Sequence, residues 1–263
     1  MRWGVVSDIH GNLPALEAVL AHAGALDGWL NLGDIVSGPL WPRETAALLM
    51  ALDWPTIAGN HERQLLTFER ARMGASDAYA ADAITPGQRR WLAALPATMA
   101  PAGGLLCVHG APGDDLQYLL ETVTPQGARA ATPAEVAQRL AGVAAPLLLC
   151  GHTHVPRDLA VGSTRIANPG SVGLQAYDDD HPWPHVIENG SPQARYAVIE
   201  STPAGWQLQL RAADYDFEPA ARRAEANGRG DWADALRTGR VGRTEAQVLK
   251  PPASRATAGP GRS

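Results

Sequence analysis

The stretch Pro146-Leu147-Leu148-Leu149-Cys150-Gly151-His152-Thr153-His154 sets two histidines directly behind an apolar run. The run from Pro146 to Cys150 is short and closed by a glycine, which predicts a buried strand. In extended backbone, alternate side chains point the same way, so His152 and His154 are predicted to reach one spot at the C-terminal end of that strand. Open α/β sheets hold their ligands at that edge. Histidines also close strands for ordinary reasons, so the weight of this pair depends on how the other strands end.

Working outward, the other strands end in the same way. Trp3 to Ser7 predicts a first strand, followed by Asp8-Ile9-His10 and a helix over Leu13 to Ala23, with Asn12 as its cap and Pro14 in its first turn. Leu13, Leu16, Val19 and Leu20 give that helix an apolar face. Trp29 to Leu32 predicts a second strand, stopped by Gly33-Asp34, and Pro42 to Leu52 a second helix. Pro55 to Ala58 predicts a third strand ending in Gly59-Asn60-His61-Glu62, and Gly104 to Val108 a fourth ending in His109-Gly110. The alternation of strand and helix predicts a layered α/β fold. Of the eight histidines, five fall at strand ends, and His22, His181 and His185 read as surface residues.

The remaining segments carry less chemistry. Residues 61 to 99 read as wholly helical, a helix to Met73 and another from Pro86 to Ala94, either a cap beside the site or helices covering a sheet face. Pro133 to Ala141 predicts a helix, Arg165 to Gly173 a short strand and tight turn, and Asp178 to Gly190 a polar, proline-rich loop. Ala194 to Ile199 and Trp206 to Arg211 alternate like an antiparallel hairpin. Glu218 to Asn227 and Asp231 to Thr238 predict closing helices. The expected organisation is one domain over 1–245, with a cap-like segment at 61–100 and closing helices at 215–245. A flexible tail is expected over 246–263, because Pro, Ala, Gly, Ser and Arg dominate there.

Bulk properties narrow the function classes. The chain has 263 residues, 45% hydrophobic and 19% charged, with a net charge of −5. No basic stripe is present, so non-specific nucleic-acid binding is not expected. Cys107 and Cys150 lie in apolar runs and read as buried, reduced thiols. No apolar run approaches a membrane span, and the first strand leaves no room for a signal peptide, so the expected address is the cytoplasm, without membrane association.

Asp8, His10, Asp34, Asn60, His109, His152 and His154 are oxygen and nitrogen donors without a thiolate. They are too many for one tetrahedral ion and suit two. Imidazole with carboxylate fits Mn, Fe, Zn, Ni or Co rather than Ca or Mg. Two such ions, about 3.5–4 Å apart, are the standard device for in-line displacement at phosphorus.

In order, Asp8-Ile9-His10, Gly33-Asp34, Gly59-Asn60-His61-Glu62, Val108-His109-Gly110 and Gly151-His152-Thr153-His154 resemble the five motifs of the calcineurin-like metallophosphoesterases. Asn168-Pro169-Gly170-Ser171 resembles a turn of the small prokaryotic branch, and Gly33 to Pro39 with His109 to Pro112 resembles its diadenosine-tetraphosphatase-like members. The resemblance implies a four-layer α/β/β/α sandwich with mixed sheets, with the metal site at the strands' C-terminal edges. It implies Asp8, His10 and His154 on a first metal, Asn60, His109 and His152 on a second, and Asp34 bridging both. Manganese is the first expectation for the ions. His61 would face the leaving-group oxygen as acid or charge stabiliser.

The implied activity is metal-dependent hydrolysis of a phosphoester, with a metal-bridging hydroxide attacking phosphorus. The expected partner is a small-molecule or nucleotide phosphoester, a phosphodiester or dinucleoside polyphosphate first and a phosphomonoester or phosphoprotein second; a non-catalytic scaffold and a mononuclear zinc hydrolase are the remaining alternatives. Two departures weaken the phosphoprotein reading. Ser37 and Gly38 stand where the eukaryotic-type phosphatases carry an Asp that orients the catalytic histidine and an Arg that grips phosphate, and Ala58 stands where that group has another Arg. Arg63, Arg43 or a residue of the cap-like segment is the expected substitute.

Overall fold

The computed structural model describes residues 1–101 and 103–249. Strand β1 (Arg2–Val6) leads through a loop into α1 (Leu13–Ala23), capped by the Asn12 side chain, which accepts from the Ala15 amide. Strand β2 (Gly28–Asn31) pairs parallel with β1, and α2 (Pro42–Leu52) follows. The expected third strand reduces to one parallel bridge between Asn31 and Thr56. Pro55 has no amide to extend the ladder, and the Ala58 amide is drawn away to the Pro96 carbonyl at 2.8 Å.

Residues 60–93 form α3 (Asn60–Thr67), a short 3-10 turn at Arg70–Arg72, α4 (Ala75–Ala83) and α5 (Pro86–Ala93). The helix expected to reach Met73 stops at Thr67, whose hydroxyl donates back to the Arg63 carbonyl at 2.7 Å, and Phe68 is extended. Strand β3 (Leu105–Cys107) comes next, then a hairpin of β4 (Glu121–Thr124) and β5 (Gly127–Ala130), and α6 (Pro133–Leu140). Then follow β6 (Leu147–Leu149), β7 (Arg157–Val161) and β8 (Thr164–Asn168). The segment expected as a loop at 178–190 contains a second hairpin, β9 (Ala176–Asp179) with β10 (His185–Glu188). The chain closes with β11 (Ala194–Thr202), β12 (Gly205–Ala213), α7 (Glu218–Ala226), α8 (Gly230–Thr238) and α9 (Glu245–Leu249). The expected tail therefore begins inside α9, and from residue 250 onward it lies outside the described residues.

Two mixed four-stranded sheets organise the molecule, in the orders β12-β11-β1-β2 and β3-β6-β8-β7. Period-2 alternation along each strand sorts side chains to two faces. Val5, Leu30, Leu105, Leu147, Leu149, Ala197 and Ile199 form the layer between the sheets. Val6, Tyr196 and Val198 face the other way, toward Leu16 and Val19 of α1 and Leu49 of α2. Leu148 and Ile166 face Val136 and Leu140 of α6. The layers run α/β/β/α, and the C-terminal ends of β1, β2, β3 and β6 lie where the two sheets meet. Cys107 and Cys150 are buried free thiols in these layers. Among the described residues no helix is long and apolar enough to cross a membrane.

Candidate metal centre

Beyond Val6 and Asn31 the chain leaves the sheet, but the pairing of β1 with β2 continues between the loops. The Asp8 amide donates to the Gly33 carbonyl at 3.0 Å, His10 to Asp34 at 3.0 Å and Gly11 to Ile35 at 2.8 Å. Asp8, His10 and Asp34 sit in left-handed backbone with φ of 54°, 51° and 55°, as do His152 and His154 at 69° and 60°. Among the described non-glycine residues only Asp53 and Ala141, at helix ends, share that region. It costs roughly 1–3 kcal/mol per residue and persists where surrounding contacts impose it. Two glycines permit the crowding: a side chain at 59 would run into the Asp34 carboxylate, and one at 151 into the Ser7 hydroxyl.

This backbone corrects the expectation that His152 and His154 reach one spot. Neither residue is extended, and their side chains part. His154 joins Asp8 and His10, while His152 joins Asp34 and His109, each trio with ligand-type atoms within 4.8 Å of one another.

In the first trio, His10 Nε2 lies 3.1 Å from His154 Nε2, which lies 3.4 Å from Asp8 Oδ1. His10 Nδ1 donates to the Ser37 carbonyl at 2.8 Å and His154 Nδ1 to the Leu174 carbonyl at 2.7 Å. In neutral rings the two Nε2 atoms thus confront each other as bare lone pairs. In the second trio, His109 Nε2 lies 3.1 Å from Asp34 Oδ2 and 4.0 Å from Asp8 Oδ1, and its Nδ1 donates to the Leu32 carbonyl at 2.7 Å. The inward atom of the Asn60 amide is 3.0 Å from His109 Nε2, 2.9 Å from His152 Nδ1 and 3.3 Å from Asp34 Oδ2. As an oxygen it faces the acceptors His152 Nδ1 and Asp34 Oδ2; a cation shared among them, or the amide turned around, resolves the conflict. Convergent lone pairs with their outer nitrogens tied to carbonyls are a donor set that fits divalent transition-metal ions.

Burial pushes the Asp8 carboxyl up, but His154 and His109 outweigh it and leave Asp8 below the ordinary range. Burial acts likewise on Asp34, which His109 and His61 hold well below that range. Burial drives His10 and His152 down to about 4. For His109 it is overcome by Asp34 and Asp8, which lift the ring to about 9.

His61 starts α3 beside Asn60 and belongs to neither trio. Its amide donates to Asp34 Oδ1 at 3.0 Å, and its Nδ1 lies 2.8 Å from Asp77 Oδ1. Burial lowers its pKa, but Asp34 and Asp77 raise it to about 10. Glu62 is fully buried, and its carboxylate accepts from the amides of Asp34 and Ile35, both at 2.8 Å, and of Gly59 at 2.9 Å. It thereby ties the β2 loop to the start of α3.

The trios open onto a cavity of about 680 Å³ that His61 also lines. Gln64 and Ser76 of the helical segment and Asp178, Asp179 and His181 of the β9–β10 hairpin contribute to its walls. The expected phosphate-gripping arginines are engaged elsewhere. Arg63 forms a two-bonded pair with Asp115, both at 2.7 Å, and exposed Arg43 donates to the Ala83 carbonyl; neither lines the cavity. His185, expected on the surface, is buried and bonded to Tyr118 at 3.1 Å. Asp77, Tyr118, Tyr177 and Trp232 escape sequence reading, because none stands beside a strand-end motif.

Residues 1–183 match the calcineurin-like phosphoesterase superfamily domain. The chain belongs to this superfamily. A calcineurin-like phosphoesterase of this kind is a metal-dependent hydrolase, and the two trios are its candidate metal-binding clusters. The chain is similar to a metallophosphoesterase from Sphaerobacter thermophilus, with a TM-score of 0.72 and 26% identity over 91% of this chain and 99% of that one. It also shares its fold with a hypothetical protein from Pyrococcus horikoshii, at a TM-score of 0.70 and 18% identity over 90% and 98% of the two chains. No curated protein matches the sequence.

Proposed function

We propose that this phosphoesterase uses two metal ions to hydrolyse a small phosphodiester. The observation that carries the reading is the approach of His10 Nε2 and His154 Nε2 to 3.1 Å, with the Nδ1 of each ring tied to a backbone carbonyl. Asp8, His10 and His154 would hold one ion, Asn60, His109 and His152 the other, with Asp34 shared. Mn is the first choice, with Fe, Zn, Ni or Co as alternatives. Bound there, the ions would supply an acidified water and neutralise charge on the phosphoryl oxygens.

The chain's own residues do the rest. Asp77 fixes His61 Nδ1, which leaves the ring's other nitrogen to carry a proton toward the departing oxygen. Glu62 holds the amides of Asp34 and Gly59, and so the backbone on which Asp34, Asn60 and His61 are mounted. A cavity of about 680 Å³, without Arg43 or Arg63 in its walls, supports a small-molecule substrate over a phosphoprotein.

The test is elemental analysis, expected to give two ions per chain, joined to a Mn-, Fe- and Ni-supplemented screen of phosphodiesters, phosphomonoesters and dinucleoside polyphosphates. Protein carrying two ions that hydrolyses none of them refutes the reading.

A further inference from the structure

The cavity has two unlike sets of lining residues. One belongs to the trios; the other comes from β4, β9 and the start of α9. We propose that this second wall receives a positive charge, so that the substrate is a phosphoester whose organic arm carries an ammonium or comparable cation. The inference rests on the phosphoesterase reading and narrows it.

The charges come first. Asp178, Asp179 and Glu245 line this second wall. Arg229 is the guanidinium that reaches this group, and it is divided between Asp231 at 2.6 Å and Glu245 at 2.7 Å. Asp178 accepts from the Glu245 amide at 3.1 Å, and Asp179 from the His181 amide at 2.9 Å, with the His181 ring 3.7 Å away. Burial, together with Asp231 and Asp180, pushes the Asp178 carboxyl above its ordinary range. Among the described residues lining the cavity, Arg139 is the one arginine and there is no lysine. The terminal nitrogens of Arg139 already donate to the Leu119 and Glu121 carbonyls and to Thr122 Oγ1.

A second observation does not depend on those carboxylates. His185 Nδ1 donates to the Trp183 carbonyl at 2.8 Å, so with a neutral ring its Nε2 accepts from the Tyr118 hydroxyl at 3.1 Å. Tyr118 has then spent its proton, and Tyr177 must donate to it across 2.7 Å. Both phenols line the cavity, and Tyr177 is left with lone pairs to offer there. A third is Glu121, whose buried Oε2 makes no hydrogen bond and whose side chain lines the same cavity, its other oxygen being held by Arg157. This wall offers acceptors and negative charge. A polyphosphate chain would be repelled there, and a neutral arm would leave the acceptors unpaired. A cation satisfies them, and Tyr118, Tyr177 and Trp232, which pack against His152, His154 and His10, give the stretch between this wall and the trios an aromatic lining that tolerates it.

Three para-nitrophenyl phosphodiesters test this with the full-length, Mn-loaded protein. Their second arms are trimethylammonioethyl, dimethylbutyl (the same shape without charge) and carboxypropyl. The expected order of kcat/KM follows that sequence. The cationic arm should exceed its neutral isostere by about tenfold at low salt, a margin that shrinks as salt rises. In Asp178→Asn and in Glu245→Gln the ratio of cationic to neutral should fall toward one; Asp179→Asn, at an exposed position, gives the same readout if either variant disturbs α9. Equal rates, or preference for the carboxylate arm, overturn the inference. Failure to hydrolyse any of the three with two ions bound refutes the phosphodiester reading instead. Calorimetric binding of the matching phosphonates, in the same or the reverse order, then decides the charge preference independently.

Discussion

The two donor trios are built differently. Asp8, His10 and His154 are all buried, and both imidazoles are fixed through Nδ1 to backbone carbonyls at 2.7–2.8 Å. In the other trio His109 is fixed the same way, but His152 is half-buried, presents its Nδ1 inward and ties its Nε2 to the Leu116 carbonyl in an exposed loop. The neutral amide of Asn60 is the further donor there. One position is rigid and shielded from water; its neighbour leans on a surface loop. The difference predicts two ions that bind and leave separately, the second more easily.

The largest expected effect separates the trios by substitution. His154→Ala should lose activity by more than about a hundredfold, with no recovery in excess Mn, whereas His152→Ala should recover part of its rate as Mn is raised. Equal rescue of both would erase the distinction. His61→Ala should keep two ions by elemental analysis yet lose about 10²–10⁴-fold in kcat on esters with poor leaving groups, and less on an aryl ester. Asp77→Asn should act in the same direction by about tenfold, again steeper for poor leaving groups, since it frees the ring without removing it. Stepwise chelation followed by mass spectrometry should show a one-ion species; simultaneous loss of both would break the comparison. Glu62→Gln, which weakens three buried hydrogen bonds, should lower stability by about 1–3 kcal/mol in denaturant titration of the metal-free protein.

The chemistry was legible because each donor follows an apolar run, and the period of those runs tells a strand from a helix. Asp8, Asp34, His109 and His154 could be picked out at strand ends without coordinates. Their backbone could not. Left-handed φ at a histidine leaves no mark in the sequence, so strand periodicity sends His152 and His154 to one spot, and only the family resemblance implies that they part. The β9–β10 hairpin resembles a loop in sequence because Asp178 to Asp180 and two prolines mimic turn composition. In the structure β10 has one buried face, with His185 and Ile187 inward and Val186 and Glu188 outward, so four residues leave little pattern to detect. Asp77 lies in the alanine-rich segment Ala75–Ala83, where nothing distinguishes it from a solvated helix residue. The cavity's acidic wall is made from such segments, which is why its charge became evident only with its neighbours in place.

His10 and His154, which face each other across 3.1 Å, are 144 residues apart in the chain. During synthesis the earlier donors emerge long before their counterparts exist, and no truncated product ending before residue 154 can close the first trio. Capture of a cation there would therefore serve as a receipt for completed folding: a chain halted halfway carries Asp8, His10, Asp34 and His109 but neither His152 nor His154, so neither trio is complete.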